Sequence, residues 1–365
     1  NRFDVQGHFS HSLALTLVVS SLVVLALLVN YRWLGHYGQV ADVVVASKGY
    51  YLLIVASLVP AFIFQCVKGF SEGLGRANAP MVILVGSIGL NVVLNWLLIF
   101  GHWGFPEMGL LGAGWATLIA RICSAVGLFL YVLAVRSYRD HVPQRWLAGL
   151  RWGGIGSVLK LGVPAAIQNL FEVGAFASSG IIIGWLGVIP LAAHQVAISW
   201  AALAFMIPLG ISVAVGIRVG DAFGRGAVSE IRRIGFVTIG FVGVQTVVSA
   251  LLFLVGGTFL ASLFVKDAVV VEMAGRILVV VGLFQIVDGA QVICVGTLRG
   301  MSDVYVNLVV GFFAYWVIAL PIGYLLAIPY GFGAVGMWSG LAIGLGIAAI
   351  FLCWRLAWLT RRGVE

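Results

Sequence analysis

Two carboxylates stand where a carboxylate is costly. Glu172 occurs in GVPAAIQNLFEVGAFASSGIIIGW and Asp288 in LVVVGLFQIVDGAQVICVG, each near the middle of a long apolar run. The other eleven of the thirteen Asp and Glu fall in polar gaps, at the ends of apolar runs or at the terminus. An ionised acid at the centre of a bilayer costs about 2.5–3.5 kcal/mol on insertion scales. Such a group must face a cavity, bind a cation or hold a proton. Removal from water favours the neutral acid, which makes either residue a candidate proton carrier. Neutral oxygens beside a carboxylate equally suit a small hard cation such as Na+. Asn169 lies one turn from Glu172 and Gln285 one turn from Asp288, so each acid has an amide on its own helix face. The plainer alternative, a hydrogen bond across a helix interface, applies less readily to two acids in one half of the chain than to one.

Other polar residues in apolar runs carry weaker signals. Asn91 and Asn95 share a face at i, i+4, with Thr117 on the following run. They line a pocket or simply join helices, and spacing does not separate the two readings. Arg121 reads as a structural partner of a loop or helix end, and His194 and Gln195 stand near the end of a run, where a pocket role is open. Phe171, Phe176 and Phe284 flank the acids; aromatic faces with a carboxylate bind amphipathic cations by dispersion, cation–π attraction and charge. Pro60, Pro208 and Pro321 fall inside apolar runs, where each removes a backbone hydrogen bond. There is no GxxxxGK[ST] loop, HExxH or clustered Cys/His pattern, and Ser178-Ser179 has no base in a triad-like motif. An enzyme is therefore not indicated and no cofactor is expected beyond a coupling ion, Na+ or H+.

The elements that must position these groups follow from composition. Charged residues make up 9% of the 365 and hydrophobic residues 62%, with mean hydropathy +1.10. So few charges cannot cover a water-soluble globule of this size, and the chain reads as an all-α polytopic membrane protein. Ten runs are long enough to span about 30 Å of hydrocarbon. They are Leu13–Val29, Tyr50–Val67, Met81–Phe100, Leu110–Val135, Leu161–Val188, Leu191–Val219, Ile234–Leu254, Ile277–Leu298, Val304–Ile328 and Ala334–Trp354. Continuous apolar blocks argue against a β-barrel. The gap Arg136–Lys160 has room for a short interfacial helix, with Trp146 and Trp152 beside Arg145 and Arg151. Cys66, Cys123, Cys294 and Cys353 lie in apolar runs without metal-type spacing and read as small buried hydrophobes.

The net charge of +8 comes from basic residues in the gaps, which speaks for membrane topology and against nucleic acid. Sixteen Lys and Arg fall on one side of an alternating ten-helix arrangement and four (Arg32, Lys48, Lys266, Arg276) on the other, with Arg121 inside a run. Loops facing the cytoplasm collect Lys and Arg, so both ends of the chain are expected in the cytoplasm. The segment ADVVVASKGYYLLIVASLVPAFIFQCVKGFSEG, ending at Gly73, is echoed by DAVVVEMAGRILVVVGLFQIVDGAQVICVGTLRG, ending at Gly300, and GLLG at 109–112 by GAVG at 333–336. Helices 1–4 thus pair with helices 7–10, as in transporters built from two related halves. The symmetry predicts two further helices before Asn1, a twelve-helix whole of which roughly 80 residues lie outside this chain. It divides the chain into an N-terminal lobe of four helices, 1–150, and a C-terminal lobe of six, 151–365.

Several stretches resemble a known family. GFSEGLGRANAPMVILVGSIGLNVVLNWLLIFG (69–101) and GLLGAGWATLIAR (109–121) are similar to the first lobe of multidrug and toxic compound extrusion (MATE) transporters. LKLGVPAAIQNLFEVGAFA (159–177), LAAHQVAISWAALAFMIPLGISVAVGIRVGDAFGRG (191–226) and GLFQIVDGAQVICVGTLRG (282–300) resemble the second, and the acid pair resembles the NorM-type branch. The resemblance implies a V-shaped, two-lobe helix bundle, here ten of twelve helices, that alternates access. It further implies a bacterial inner-membrane monomer exporting cationic amphipathic compounds in exchange for Na+ or H+. In that branch the positions of Glu172 and Asp288 carry the coupling ion, as a metal site where the ion is Na+. Those of Asn91, Asn95 and Thr117 belong to a first-lobe polar cluster whose usual Asp lies on a helix absent from this chain. A lipid-linked sugar flippase of related architecture is the runner-up, although it would favour a basic cavity, and a membrane-embedded enzyme would need a reactive interfacial cluster that the sequence lacks.

Overall fold

The computed structural model describes residues 2–33, 41–139, 141–143 and 152–361. Among them there is no strand, and ten helices are long and apolar enough to cross a membrane. They are α1 (Arg2–Tyr31), α2 (Ala41–Gly73), α3 (Asn78–Phe100), α4 (Leu110–Ala134), α5 (Trp152–Gly184), α6 (Val188–Gly224), α7 (Val228–Ser262), α8 (Ala268–Gly300), α9 (Val304–Ala327) and α10 (Gly333–Arg361). Each expected span is present, and most helices run one or two turns past the apolar stretch, because the backbone keeps its own hydrogen bonds beyond the hydrocarbon. The boundary after the fifth span is corrected. α5 stops at Gly184 and Val188 already opens α6, since Gly187 turns the chain at φ 118°, a conformation open to glycine and strained for other residues. Of the suggested interfacial segment the described part holds a single helical turn, Arg136–Arg139, and the start of α5; Arg145, Trp146 and Arg151 lie outside the described residues.

The helices form two compact units, Asn1–Leu159 and Lys160–Glu365. In the first, α2 packs against α1 and α4, and α3 against α4. In the second, α8 is the central element, packed against α6, α7 and α10. A helix apolar on every face belongs in the interior, and α8 is buried almost continuously from Ile277 to Leu298. Asp267 caps its start, the side chain accepting from the Val269 and Val270 amides at 2.9 and 3.3 Å. Cys294 of α8 meets Cys353 of α10 with the two sulfurs 3.1 Å apart, whereas Cys123 is exposed and not a buried hydrophobe.

α9 is not uniform. Residues Phe313–Ala319 form a π-helical turn, in which the Leu320 amide donates to the Tyr315 carbonyl five residues back. Pro321 follows immediately. Its missing N–H and its ring crowd the preceding turn, and the helix widens there. α10 braces this segment with glycines at 336, 340 and 344, one per turn, which bring backbone against backbone as small residues do between membrane helices. A Cβ at Gly340 would lie 2.2 Å from the Gly323 nitrogen, while one at Gly346 would meet nothing closer than 4.0 Å. Gly340→Ala is therefore expected to lower stability by about 1–3 kcal/mol, the usual cost of overpacking. Gly346→Ala should leave the melting temperature unchanged or raised; detergent-solubilised thermal melts of the two variants compare them directly.

Candidate functional site

α5 presents one face inward. Gln168, Ala175, Ser179 and Ile183 are buried along it, and Leu170 and Val173 point outward, each 66% exposed. Glu172 lies on the inward stripe, one turn after Gln168, and is half-buried. Asp288 lies on the central helix and is 4% exposed, buried among protein helices and not against lipid. The two acids share one electrostatic neighbourhood: Glu172 acts on Asp288 and on Arg299, and both acids act on Tyr315. Among the described residues neither carboxylate forms a salt bridge or a hydrogen bond. Tertiary structure thus joins side chains 116 positions apart in sequence through α5 and α8.

Aromatic rings fill the space beside them. Phe176, one turn after Glu172, packs at 6.0 Å on Phe284, one turn before Asp288. Phe176 also meets Tyr315 at 6.4 Å and Trp338 at 6.1 Å, and Phe284 meets Trp338 edge to face at 5.8 Å. Phe171 belongs to a neighbouring group, 5.2 Å from Phe312 and 6.4 Å from Trp316, whose indole N–H donates to the Phe171 carbonyl at 3.1 Å. Edge-to-face geometry adds attraction beyond burial and fixes the orientation of α5 against α8, α9 and α10.

The amides have more local tasks. Gln285 is buried and donates to the Ala201 carbonyl of α6 at 3.0 Å. Asn169 is exposed and accepts from Arg299 at 3.1 Å; the same guanidinium donates to Gln168 at 3.2 Å. Arg299, grouped with the loops by sequence, is the eleventh residue after Asp288, which places it three turns along the same face of α8. It ties α8 to α5 directly below Glu172. Gln195 is exposed, apart from this group. His194 is buried, and its Nδ1 accepts from the Trp338 indole at 3.1 Å, a role in packing. In the first unit, Asn95 donates to Asn91 at 3.0 Å, Thr117 returns its hydroxyl to the Ala113 carbonyl at 2.9 Å, and Arg121 reaches Ser57 of α2 at 2.7 Å. No hydrogen bond among the described residues links Thr117 to the two asparagines.

Gln168, Arg299, Tyr315 and Trp338 were not singled out by sequence. Gln168 and Arg299 carried a usable signal, being helical-face neighbours of Glu172 and Asp288; Tyr315 and Trp338 did not, because they come from other helices. His194→Phe leaves the Trp338 N–H without its acceptor in the core, at a cost of about 1–3 kcal/mol. A lowered melting temperature with a red-unshifted tryptophan emission maximum is expected, since Trp338 stays buried; an unchanged melting temperature contradicts it.

Known proteins agree with this arrangement. The MatE family model matches residues 1–97 and 164–325. The chain is 35% identical over 332 residues to a protein of Rhizobium meliloti named as a probable multidrug resistance protein NorM, covering 89% of this chain and 71% of the relative. It is 35% identical over 367 residues to the multidrug resistance protein NorM of Photobacterium profundum, covering 98% of this chain and 78% of the relative. The fold superimposes on the crystal structure of a Vibrio cholerae MATE transporter, VcmN, with TM-score 0.84 at 19% identity, over 99% of this chain and 85% of that one. Ten apolar helices, two units and a match of this extent make the chain a multi-pass membrane protein that belongs to the MATE family of transporters.

Proposed function

We propose that this chain serves multidrug efflux, moving cationic amphipathic compounds out of a bacterial cell in exchange for Na+ or H+ by alternating access. The observation that carries the reading is the meeting of Glu172 and Asp288 inside one helical unit, beside the Phe176, Phe284 and Trp338 rings. Two acids this close in a low-dielectric interior favour a bound cation or a proton, since their mutual repulsion is relieved by either. An organic cation with a flat apolar body satisfies the same acids and gains ring contacts besides. Ion and substrate therefore compete: occupation of the acids by the coupling ion removes the charge that holds substrate.

Competition becomes transport only where the ion binds one conformation more tightly than the other. The coupling energy resides in that difference, and a tenfold preference corresponds to about 1.4 kcal/mol. The names of the curated relatives support multidrug resistance as the activity. Net negative charge in this interior also disfavours a phosphate-bearing lipid-linked sugar as cargo. Arg299, the cation nearest the acids, is engaged by Gln168 and Asn169. The distribution of basic residues supports an inner-membrane orientation with both ends cytoplasmic, and we read the working unit as a monomer. In gradient-driven efflux from proteoliposomes, Glu172→Gln and Asp288→Asn are each expected to slow export of an organic cation at least tenfold. Wild-type rates in both would refute the mechanism.

A further inference from the structure

Tyr315 is buried completely, and its hydroxyl has no hydrogen-bond partner. Among the described residues only four buried side-chain polar atoms are in this position, and this one alone belongs to a residue within reach of both Glu172 and Asp288. A buried hydroxyl without a partner is destabilising, and a phenylalanine would fill the same space without that penalty. The residue also stands in the π-helical turn of α9, with its carbonyl held by the Leu320 amide and its ring on Phe176. π-turns inside α-helices occur often at functional sites, where they redirect a side chain. Other neutral side-chain oxygens nearby are occupied: the Gln168 amide oxygen accepts from Arg299.

We propose that the Tyr315 hydroxyl oxygen is a ligand of a Na+ ion held by Glu172 and Asp288. The inference rests on the carboxylate reading above and extends it to a specific ion and a third helix. Hard cations are held through several oxygens at once, and two carboxylates from α5 and α8 leave part of such a shell unfilled. The phenol oxygen adds a neutral lone pair from α9. A bound Na+ would then tie α5, α8 and α9 together, with the π-turn setting the position of the hydroxyl.

The test is direct Na+ binding, with radiolabelled 22Na+ and the chain in lipid nanodiscs, for wild type, Tyr315→Phe and Asp288→Asn. Wild type is expected to bind, Tyr315→Phe to bind at least fivefold more weakly, and Asp288→Asn not to bind. Thermal melts run alongside: Tyr315→Phe should match or exceed the wild-type melting temperature, which a merely structural role for the hydroxyl would lower. Equal Na+ affinity in wild type and Tyr315→Phe overturns the assignment of Tyr315, and loss of binding in Asp288→Asn then leaves the carboxylate reading intact. Absence of Na+ binding in wild type overturns the Na+ site, while slowed efflux in Glu172→Gln and Asp288→Asn would still uphold exchange at the acids.

Discussion

The second unit is organised around the cost of holding carboxylates away from water. Lipid offers an ionised acid nothing, so the chain must wrap each acid in protein. Asp288 is therefore on the one helix buried on every side, and Glu172 on the inward stripe of a helix whose opposite face is exposed. With both acids inside, the surroundings must supply either a partner or a replaceable ion. The guanidinium nearest them spends its hydrogen bonds on Gln168 and Asn169. Left without a fixed counter-ion, the acids stay available for exchange.

Aromatic packing and small-residue packing divide the mechanical work. Phe176, Phe284, Tyr315 and Trp338 join α5, α8, α9 and α10 through ring contacts at 5.8–6.4 Å. Such contacts are wide and can slide or re-form when a flat guest enters. The Gly336, Gly340 and Gly344 stripe behaves differently: backbones in contact cannot move apart without losing the whole interface. α10 and the latter part of α9 thus form a stiff wall, and α5, held by side chains and Arg299, is the more adaptable partner. A transporter needs both, since an ion can shift a conformational equilibrium only through contacts that differ between the two states.

The first unit shows the limit of polar residues as functional markers. Thr117 bonds its own helix and Asn91 and Asn95 bond each other, while Arg121 braces α4 against α2 through Ser57. Arg121 thereby joins two transmembrane helices, a deeper role than the loop or helix-end contact its sequence position suggests.

Hydropathy alone determined the all-helical class, the ten spans and the two acids worth attention, because the bilayer forces long apolar helices and makes any charge within them conspicuous. Helical spacing pointed to Phe176, Phe284 and Gln285 as well, since neighbours on one helix face are set by a period that needs no tertiary information. The end of α5 was misplaced because hydropathy runs unbroken through Gly187, whose turn depends on backbone angle and not on polarity. What tertiary structure decided was which helices meet. It brought Tyr315 and Trp338 to the acids, sent Gln195 to an exposed position and turned His194 into an acceptor for an indole. Those outcomes depend on how helices rotate and cross, and inside a membrane every face of a helix is apolar enough that hydrophobic pattern does not specify the rotation.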